Sequence, residues 1–323
     1  MPAWPDCGAR IARALLICAC TLLTYNATAA ESLSLKPIRL SEHIWYVQGQ
    51  AGPASAANQG FISNAGFVVT PEGVVVIDAL GTPALGRALL AAIRRVSDKP
   101  IRRVIVTHYH SDHFYGLPAF KATGADIWAH RNAREYLDGS IAQARLAQRQ
   151  RELALWVNER TQLVRPNRWL EGSLSFVLGG LHFDLIYVGP AHAPDDLAVM
   201  VREDAVLFSG DIVFSGRIPF VGDADSRRWL AAMDELLQLN PKVLVPGHGA
   251  ASRDAAADLV LTRDYLRYLR AAMGKAAEEL LPFDEAYQQT DWSKYKHMPA
   301  FEASNRINAY GTYLLLERES LQR

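Results

Sequence analysis

Cysteine is scarce in this 323-residue chain, and its location is informative. The chain contains three cysteines, all within the first thirty residues: Cys7, Cys18 and Cys20. Residues 31–323 therefore offer neither a disulfide nor a thiolate ligand for a metal ion. Any metal site in that part of the chain has to be built from histidine and carboxylate side chains.

An excess of charge of one sign is also missing. The 34 Lys and Arg residues balance the 34 Asp and Glu residues, and no basic stripe with interleaved aromatic residues occurs. Because nucleic-acid binding depends on clustered positive charge, this composition argues against a nucleic-acid partner. Half of the residues are hydrophobic, which is enough for a sizeable globular core.

Long hydrophobic runs are absent as well. The apolar stretch 14–23 is shorter than the about 20 residues that span a bilayer. It follows Arg10 and Arg13 and precedes the small residues 27–30, the three parts of a secretory signal peptide. We therefore predict that residues 1–29 are removed on export, giving a periplasmic or secreted protein without stable membrane insertion. An uncleaved membrane anchor is the alternative.

Histidine, in contrast, is concentrated at one place. Three of the nine histidines and one aspartate lie in the seven residues THYHSDH, 107–113, directly after the apolar run 104–106. His108 and His110 are two residues apart, so on an extended segment they point to the same side. Imidazole and carboxylate groups are ligands for zinc, and also for iron or manganese. Scattered surface histidines are the ordinary alternative, but four ligand-type residues within six positions favour a metal site.

Three later turns add ligand-type residues, each next to a predicted strand and a glycine. They are His192 in GPAH, Asp211 in FSGD and His248 in PGHG. Because strand ends in α/β proteins meet at one edge of the sheet, we expect these residues to join the histidine cluster.

The pattern of apolar residues predicts an α/β fold with two mixed sheets. Period-2 and short buried runs predict strands at 44–47, 67–69, 74–77, 101–106, 174–178, 181–188, 197–201, 205–208 and 243–245. Helical spacing predicts helices at 85–96 and 226–239, a helical excursion over 131–163, and mostly helix from 254 onward. We therefore predict a four-layer αββα sandwich over residues 30–252, with a helical extension, 253–323, packed on the same domain.

The order of these motifs resembles that of the metallo-β-lactamase-fold hydrolases over about residues 38–250. The similarity rests on the run from His108 to His113, followed by His192, Asp211 and His248. Asp78 resembles the aspartate at a strand end that supports the metal loop in that family. The flanking residues are most similar to sulfur-oxidation and quinoprotein-associated zinc metallohydrolases, which the C-terminal motif also fits: Asn305, Asn308, Tyr310 and Glu317.

This resemblance implies two zinc ions per chain. It assigns the first to His108, His110 and His192, and the second to Asp112, His113 and His248. Asp211 would bridge the two ions, as in glyoxalase-II-like members. The implied reaction is hydrolysis of an ester, thioester, lactone or amide bond of a small molecule by metal-bound hydroxide, which Asp112 orients. The loop 49–60 corresponds to the flap that covers the metals in relatives.

Other activities remain open at this level. Relatives of this fold include non-haem iron enzymes that oxidise persulfides, and a periplasmic metal-binding component without turnover would carry the same ligands. β-Lactamase activity is a further alternative, although the lysine of those enzymes would fall on Phe214. Arg217 is then the candidate substrate-binding residue for a carboxylate.

Overall fold

The computed structural model describes Met1, residues 33–222 and residues 224–321. The predicted signal peptide, 1–29, lies outside the described residues apart from Met1 and stays a prediction. In the part of the chain that is described, no helix is both long enough and apolar enough to cross a membrane.

The first sheet has seven strands among the described residues, in sequential order. Its first four strands pair antiparallel and the remaining ones pair parallel. The strands are β1 (Ile38–Arg39), β2 (Ile44–Val47), β3 (Ala65–Thr70), β4 (Gly73–Ile77), β5 (Ile101–Ile105), β6 (Asp126–His130) and β7 (Arg168–Leu170).

The second sheet has five strands in the described residues, in the order β12-β11-β10-β9-β8. Only its β11–β12 pair is parallel. The strands are β8 (Leu174–Leu178), β9 (Leu181–Tyr187), β10 (Leu197–Val201), β11 (Val206–Phe214) and β12 (Val243–His248).

The helices lie between and after these strands. They are α1 (Pro83–Val96), α2 (Ser111–Phe114), α3 (Leu117–Lys121), α4 (Ala133–Asp138), α5 (Ser140–Glu152), α6 (Ser226–Gln238), α7 (Ala255–Glu278), α8 (Phe283–Gln289) and α9 (Phe301–Leu321). Local chemistry sets their ends. At α1, the Thr82 hydroxyl accepts from the Leu85 N–H, and Pro83 occupies the first turn, where a missing N–H costs nothing.

The two sheets pack face to face because their strands are apolar on both faces. In β4, Val75 and Ile77 face the second sheet, whereas Val74 and Val76 pack against α1 and α3. Such a continuous buried run is typical of a strand covered on both sides. Helices α6, α7 and α9 cover the outer face of the second sheet. The predicted four-layer αββα sandwich is confirmed.

Some predicted boundaries were wrong. Helix α5 ends at Glu152, so residues 153–163 of the predicted helical excursion are turns, bends and irregular chain. There, the Asn158 N–H donates to the Thr161 hydroxyl and the Asn158 side chain accepts from the Arg160 N–H, which satisfies the backbone without helix. The sequence pattern also missed the short strands β1, β6 and β7.

Candidate metal centre

The seven predicted ligands come from both sheets and lie at one edge of the sandwich. His108 and His110 follow β5, and α2 begins directly after them with Asp112 and His113 in its single turn. The second sheet supplies the other three residues. His192 lies in the β9–β10 turn, Asp211 lies within β11, and His248 is the last residue of β12.

These side chains form two neighbouring groups. His108, His110, His192 and Asp211 each offer one ligand atom, and these atoms lie within 4.8 Å of one another. The same holds for the second group, Asp112, His113 and His248.

Asp211 contacts both groups. Its Oδ2 lies 3.3 Å from His192 Nε2 and 3.3 Å from His248 Nε2, while its Oδ1 lies 3.2 Å from His113 Nε2. Two nitrogen or oxygen ligands of one tetrahedral zinc ion are about 3.3 Å apart, given bonds of about 2.0–2.1 Å. The observed separations therefore match ligands that share a cation.

The hydrogen bonding supports the same interpretation. His108 Nε2, His113 Nε2 and Asp211 Oδ1 are buried and have no hydrogen-bond partner among the described residues, although His113 Nε2 and Asp211 Oδ1 lie 3.2 Å apart. Unsatisfied polar atoms are costly in a protein interior, so three at one point require an explanation. Cations held by the two groups would satisfy all three atoms, and the residues present fit divalent metal ions.

The outward-facing nitrogens of three histidines are held in place. His113 Nδ1 lies 2.8 Å from Asp78 Oδ2, His108 Nδ1 lies 3.1 Å from the Thr107 hydroxyl, and His248 Nδ1 lies 2.7 Å from the Ile62 carbonyl. Asp78 also accepts from the Thr107 N–H and hydroxyl, each at 2.8 Å. Such contacts fix ring orientation and leave Nε2 free for a metal.

Two buried carboxylates accept hydrogen bonds from the backbone beside the candidate ligands. The sequence analysis did not identify them. Asp195 Oδ2 accepts from the Tyr109 N–H at 2.9 Å, and Asp196 Oδ2 accepts from the Ala193 N–H at 2.7 Å. Burial raises the pKa of Asp195 to about 7 and that of Asp196 well above its usual range. The adjacent aspartates of GPAHAPDDL were the available signal, since two consecutive carboxylates at the start of an apolar strand are unusual.

Backbone packing explains the glycines beside Asp211. A Cβ atom on Gly247 would lie 1.9 Å from Asp211 Oδ1, so only glycine leaves room for this carboxylate. Gly210 has a φ of +53° and lies where β11 shifts register against β12. Such a bulge redirects the next side chain, here that of Asp211.

The electrostatics favour neutral imidazoles in one group and charged carboxylates throughout. Burial lowers the pKa of His108 well below its usual range and that of His192 to about 3. Burial opposes the ionisation of Asp211, but the charges of His248 and His113 outweigh it and hold the pKa of the carboxyl well below its ordinary value. Neutral imidazole and ionised carboxylate are the metal-binding forms, which the first group already favours. In the second group, burial lowers the pKa of His113 and His248, but the charge of Asp211 and neighbouring carboxylates outweighs it and raises both pKa values, so cation binding there would release protons.

A cavity of about 260 Å³ opens beside the two groups. Of the seven residues, His110, Asp112, Asp211 and His248 line it. The side chain of Asp112 is 14% exposed, compared with 0% for those of His108, His113 and His192. A molecule in this cavity therefore meets the centre on the side of Asp112.

Three segments outside the sandwich core form the cavity walls. They are the loop 49–60 through Pro53 and Ala54, helix α5 through Arg145, Gln148, Arg149 and Glu152, and helix α9 through Ala303, Ser304 and Ile307. The loop thus contributes two residues to the cavity wall, and its role as a flap stays a prediction.

Asn308 in α9 fixes a further part of the wall. Its Oδ1 accepts from the Val221 N–H at 2.7 Å and its Nδ2 donates to the Pro219 carbonyl at 2.7 Å. Both residues belong to the segment that also carries the cavity-lining Phe220.

Arg217 and Phe214 also line the cavity. Arg217 Nη1 lies 3.3 Å from the Gly52 carbonyl and 3.3 Å from His248 Nδ1. Because His248 Nδ1 already donates to the Ile62 carbonyl, it cannot also accept from Arg217. Phe214 stacks on the ring of His248, with 4.9 Å between the ring centroids.

Comparison with known proteins gives a family match over most of this sandwich. The sequence model of the metallo-beta-lactamase superfamily matches residues 58–248. A linear primary-alkylsulfatase from Pseudomonas sp. (strain ATCC 19151) is 25% identical over 238 residues, which are 63% of this chain and 45% of that protein. A metallo-beta-lactamase type 2 from Bacillus cereus is 25% identical over 235 residues, 69% of this chain and 78% of that protein.

The fold is also found in solved structures. The stereoselective inverting sec-alkylsulfatase from Pseudomonas sp. aligns with a TM-score of 0.65 and 19% sequence identity, covering 87% of this chain and 50% of that one. The present chain thus spans about half the length of the alkylsulfatases it matches.

Proposed function

The chain belongs to the metallo-β-lactamase superfamily, and we propose that it is an exported hydrolase that holds two zinc ions. It cleaves an ester, thioester, lactone or amide bond of a small molecule. The observation that supports this most directly is the position of Asp211, whose two carboxylate oxygens lie 3.2–3.3 Å from histidine nitrogens of both ligand groups.

Each group would hold one ion. His108, His110 and His192 would bind the first, Asp112, His113 and His248 the second, and Asp211 would bridge them. Two divalent cations bound there supply Lewis acidity and lower the pKa of water, which makes hydrolysis feasible near neutral pH.

The chain's own residues would position the reactants. Asp112 lies on the cavity side. Its side chain is more exposed than those of five of the other ligand-type residues, and only His110 is also partly exposed. Its carboxylate is therefore placed to accept a hydrogen bond from the attacking water and orient it. Pro53 and Ala54 of the loop 49–60 and Phe220 line the cavity, where they would restrict the access of bulk solvent to the reactants.

Metal analysis and a substrate panel test this function. The purified protein should contain close to two zinc ions per chain and should hydrolyse at least one ester, thioester, lactone or amide. One iron per chain with oxygen-dependent persulfide turnover would instead identify the iron enzyme. Stable metal binding without any turnover would identify a non-catalytic binding component.

Export is the second part of the proposal. It is supported by the order of charged, apolar and small residues in 1–30. Intact-mass measurement of protein from the periplasm should give an N-terminus near Ala30 or Glu31. Recovery of a chain that retains residues 1–29 contradicts this part and leaves the metal chemistry untouched.

Hydrolysis of sulfate esters is a second candidate, because both a sequence relative and a structural relative are named alkylsulfatases. β-Lactam hydrolysis has less support from the site. Phe214, which stacks on His248, occupies the position to which the family resemblance assigns the β-lactamases' lysine. Alkyl sulfates and β-lactams therefore belong in the same substrate panel.

A further inference from the structure

Helix α5 gives the cavity a wall of guanidinium groups. Arg145 and Arg149 are four residues apart and so share one face of the helix, and both line the cavity together with Gln148. Apolar side chains line other parts of the cavity: Ala54, Phe220 and Ile307. The space is thus amphipathic, with a cationic part and an apolar part.

The positive charge of this wall is not fully neutralised. Arg149 Nη1 pairs with Glu152 at 2.8 Å. Arg145 Nη1 donates to the neutral Gln148 Oε1 at 2.8 Å, and no carboxylate of the described residues lies within ion-pair distance of it. On α5, two guanidinium groups therefore face the cavity beside one carboxylate, that of Glu152. The other charged groups that line the cavity are Arg217 and the candidate ligands Asp112 and Asp211.

The wall also adjoins the metal centre. Arg149 Nε donates to the Ser111 hydroxyl at 3.1 Å, and Ser111 lies between His110 and Asp112. A group bound by α5 therefore lies next to the segment 108–113, which carries four of the candidate metal ligands.

A half-buried guanidinium without a counter-charge loses hydration that an anion can restore. Guanidinium groups bind carboxylate and sulfate-like oxyanions through paired N–H donors. We infer that Arg145 and Arg149 bind an anionic group of the substrate, which makes the substrate class amphiphilic anions: an oxyanion joined to an apolar group. This inference rests on the proposed hydrolytic function and narrows its substrate.

The oxyanion has two potential sources. It is either part of the scissile bond, as in an alkyl sulfate, or a carboxylate elsewhere in an ester. Two substrates with the same apolar chain separate these sources: an alkyl sulfate, and an aryl ester of a dicarboxylic acid with one free carboxylate. A neutral aryl ester of equal length is the reference.

The test compares three substitutions in α5. Arg145→Gln and Arg149→Gln remove the charges, and Arg145→Lys keeps a charge without the planar donor pair. Arg151→Gln is the matched control, because Arg151 is exposed on the same helix and does not line the cavity. Zinc content is measured for every variant, so that loss of metal is not mistaken for loss of recognition.

For the wild type we expect kcat/KM to be higher for an anionic substrate than for the neutral ester. Each Gln variant should lower this ratio roughly 10- to 100-fold, mainly through KM, as expected for a charge-assisted hydrogen bond. Arg145→Lys should recover part of the preference, and Arg151→Gln should match the wild type. Equal ratios in the wild type and both Gln variants would overturn the inference while leaving the hydrolase intact.

A binding measurement keeps the two proposals separable. An alkanesulfonate, which is not hydrolysed, is titrated into zinc-loaded protein by calorimetry, with the corresponding alkanol as the neutral control. Binding that Arg145→Gln weakens, in a protein that hydrolyses nothing in the panel, supports anion recognition and rejects the hydrolase. Alkanesulfonate binding that neither Gln variant changes, or no binding, rejects anion recognition by α5.

Discussion

At the scale of single residues, Asp211 is the side chain on which the two groups of candidate ligands depend. Its Oδ2 lies 3.3 Å from one histidine of each group, and Gly247 leaves the space that the carboxylate occupies. Its negative charge would offset part of the charge of two divalent cations and hold them close together. The charge of Asp211 and the room that Gly247 leaves for its carboxylate can be tested with separate substitutions.

Asp211→Asn keeps the size of the side chain and removes its charge. We expect weaker binding of the second zinc ion and a fall in kcat of roughly 100- to 1,000-fold, with a smaller change in KM. Metal analysis and steady-state kinetics measure both effects. Asp204→Asn is the matched control, because Asp204 also pairs with a histidine, His43, at 3.0 Å, but is not a candidate ligand.

Asp112→Asn should be similarly severe. Because Asp112 and Asp211 would act on the same water molecule, the double variant should lose far less than the product of the two single losses. A native rate in Asp211→Asn with both zinc ions retained would show that the binuclear mechanism is wrong.

Gly247→Ala tests the space beside Asp211. The added Cβ would lie 1.9 Å from Asp211 Oδ1 and 2.8 Å from the Gly210 carbonyl carbon, so the carboxylate or the strand has to move. We expect a loss of zinc affinity together with a destabilisation of about 1–3 kcal/mol. Gly172→Ala is the control, because a Cβ there meets nothing within 4 Å. Equal zinc affinity in both variants would contradict the close packing.

At the scale of elements, the loop 49–60 is shaped by one side chain. Asn58 Oδ1 accepts from the Ser55 and Gly60 N–H groups at 2.9 and 3.0 Å, and its Nδ2 donates to the Pro53 carbonyl at 2.9 Å. Asn58 thereby holds Pro53 and Ala54 in the cavity wall.

Asn58→Ala removes these hydrogen bonds. We expect KM for bulky substrates to rise roughly 3- to 10-fold, while zinc content stays the same. The measurement is KM across a series of substrates of increasing size, with a shortened loop as a second variant. Asn167→Ala, which removes hydrogen bonds near β6, is the control. Unchanged kinetics across the series would exclude the loop from substrate binding.

A single carboxylate of helix α9 forms ion pairs with two other helices. Glu319 Oε2 accepts from Arg227 of α6 at 2.6 Å and from Arg270 of α7 at 2.9 Å. Burial raises the pKa of Glu319, but these hydrogen bonds outweigh it and lower the pKa below its ordinary value of 4.5. Since the folded state favours the ionised form, this contribution to stability is present above about pH 4.5 and is lost as the pH falls further.

Glu319→Gln should therefore lower the free energy of unfolding by about 1 kcal/mol at pH 7. The difference from the wild type should shrink as the pH falls below about 4.5. Urea unfolding in the presence of a chelator measures this without a contribution from pH-dependent metal binding. Glu279→Gln, in an exposed pair with Lys275, is the control and should change little. A difference that is independent of pH would rule out the charge of Glu319 as the cause.

At the scale of the whole molecule, the parts that the sequence predicted are those with a local signature. The ligand-type residues lie in short turns at strand ends, and β-strand ends meet at one edge in any such sandwich. The family resemblance supplied the pairing of those turns. The order of strands and helices likewise predicted the four layers, because apolar runs such as that of β4 are readable without knowing their partners.

The parts that the sequence did not predict depend on contacts between distant segments. In the sequence, Arg145 and Arg149 are ordinary charged residues of an exposed helix. They line the cavity only because α5 packs against the segment 108–113. The same is true of Asn308, whose partners are 87 and 89 residues away in the chain. The short strands β6 and β7 were missed because charged or polar residues at their ends leave apolar runs of only two or three residues.

The candidate ligands join the two sheets, so metal binding should stabilise the whole sandwich. His108, His110, Asp112 and His113 follow strand β5 of the first sheet, whereas His192, Asp211 and His248 belong to the second. A ligand at 100 times its Kd adds about 2.7 kcal/mol to the free energy of unfolding. For a domain of this size, zinc should therefore raise the Tm of chelator-treated protein by roughly 5–10 °C.

Two variants show whether this stabilisation comes from the bridge between sheets. His248→Ala should reduce the zinc-dependent rise in Tm, whereas His43→Ala, at a histidine that is not a candidate ligand, should leave it unchanged. Hydrogen exchange should show increased protection in β5 and β12 together, since a cation held by both sheets opposes the local opening of either. Protection confined to one sheet, with two zinc ions bound, would mean that the ions do not join the sheets and that the ligand assignment is wrong.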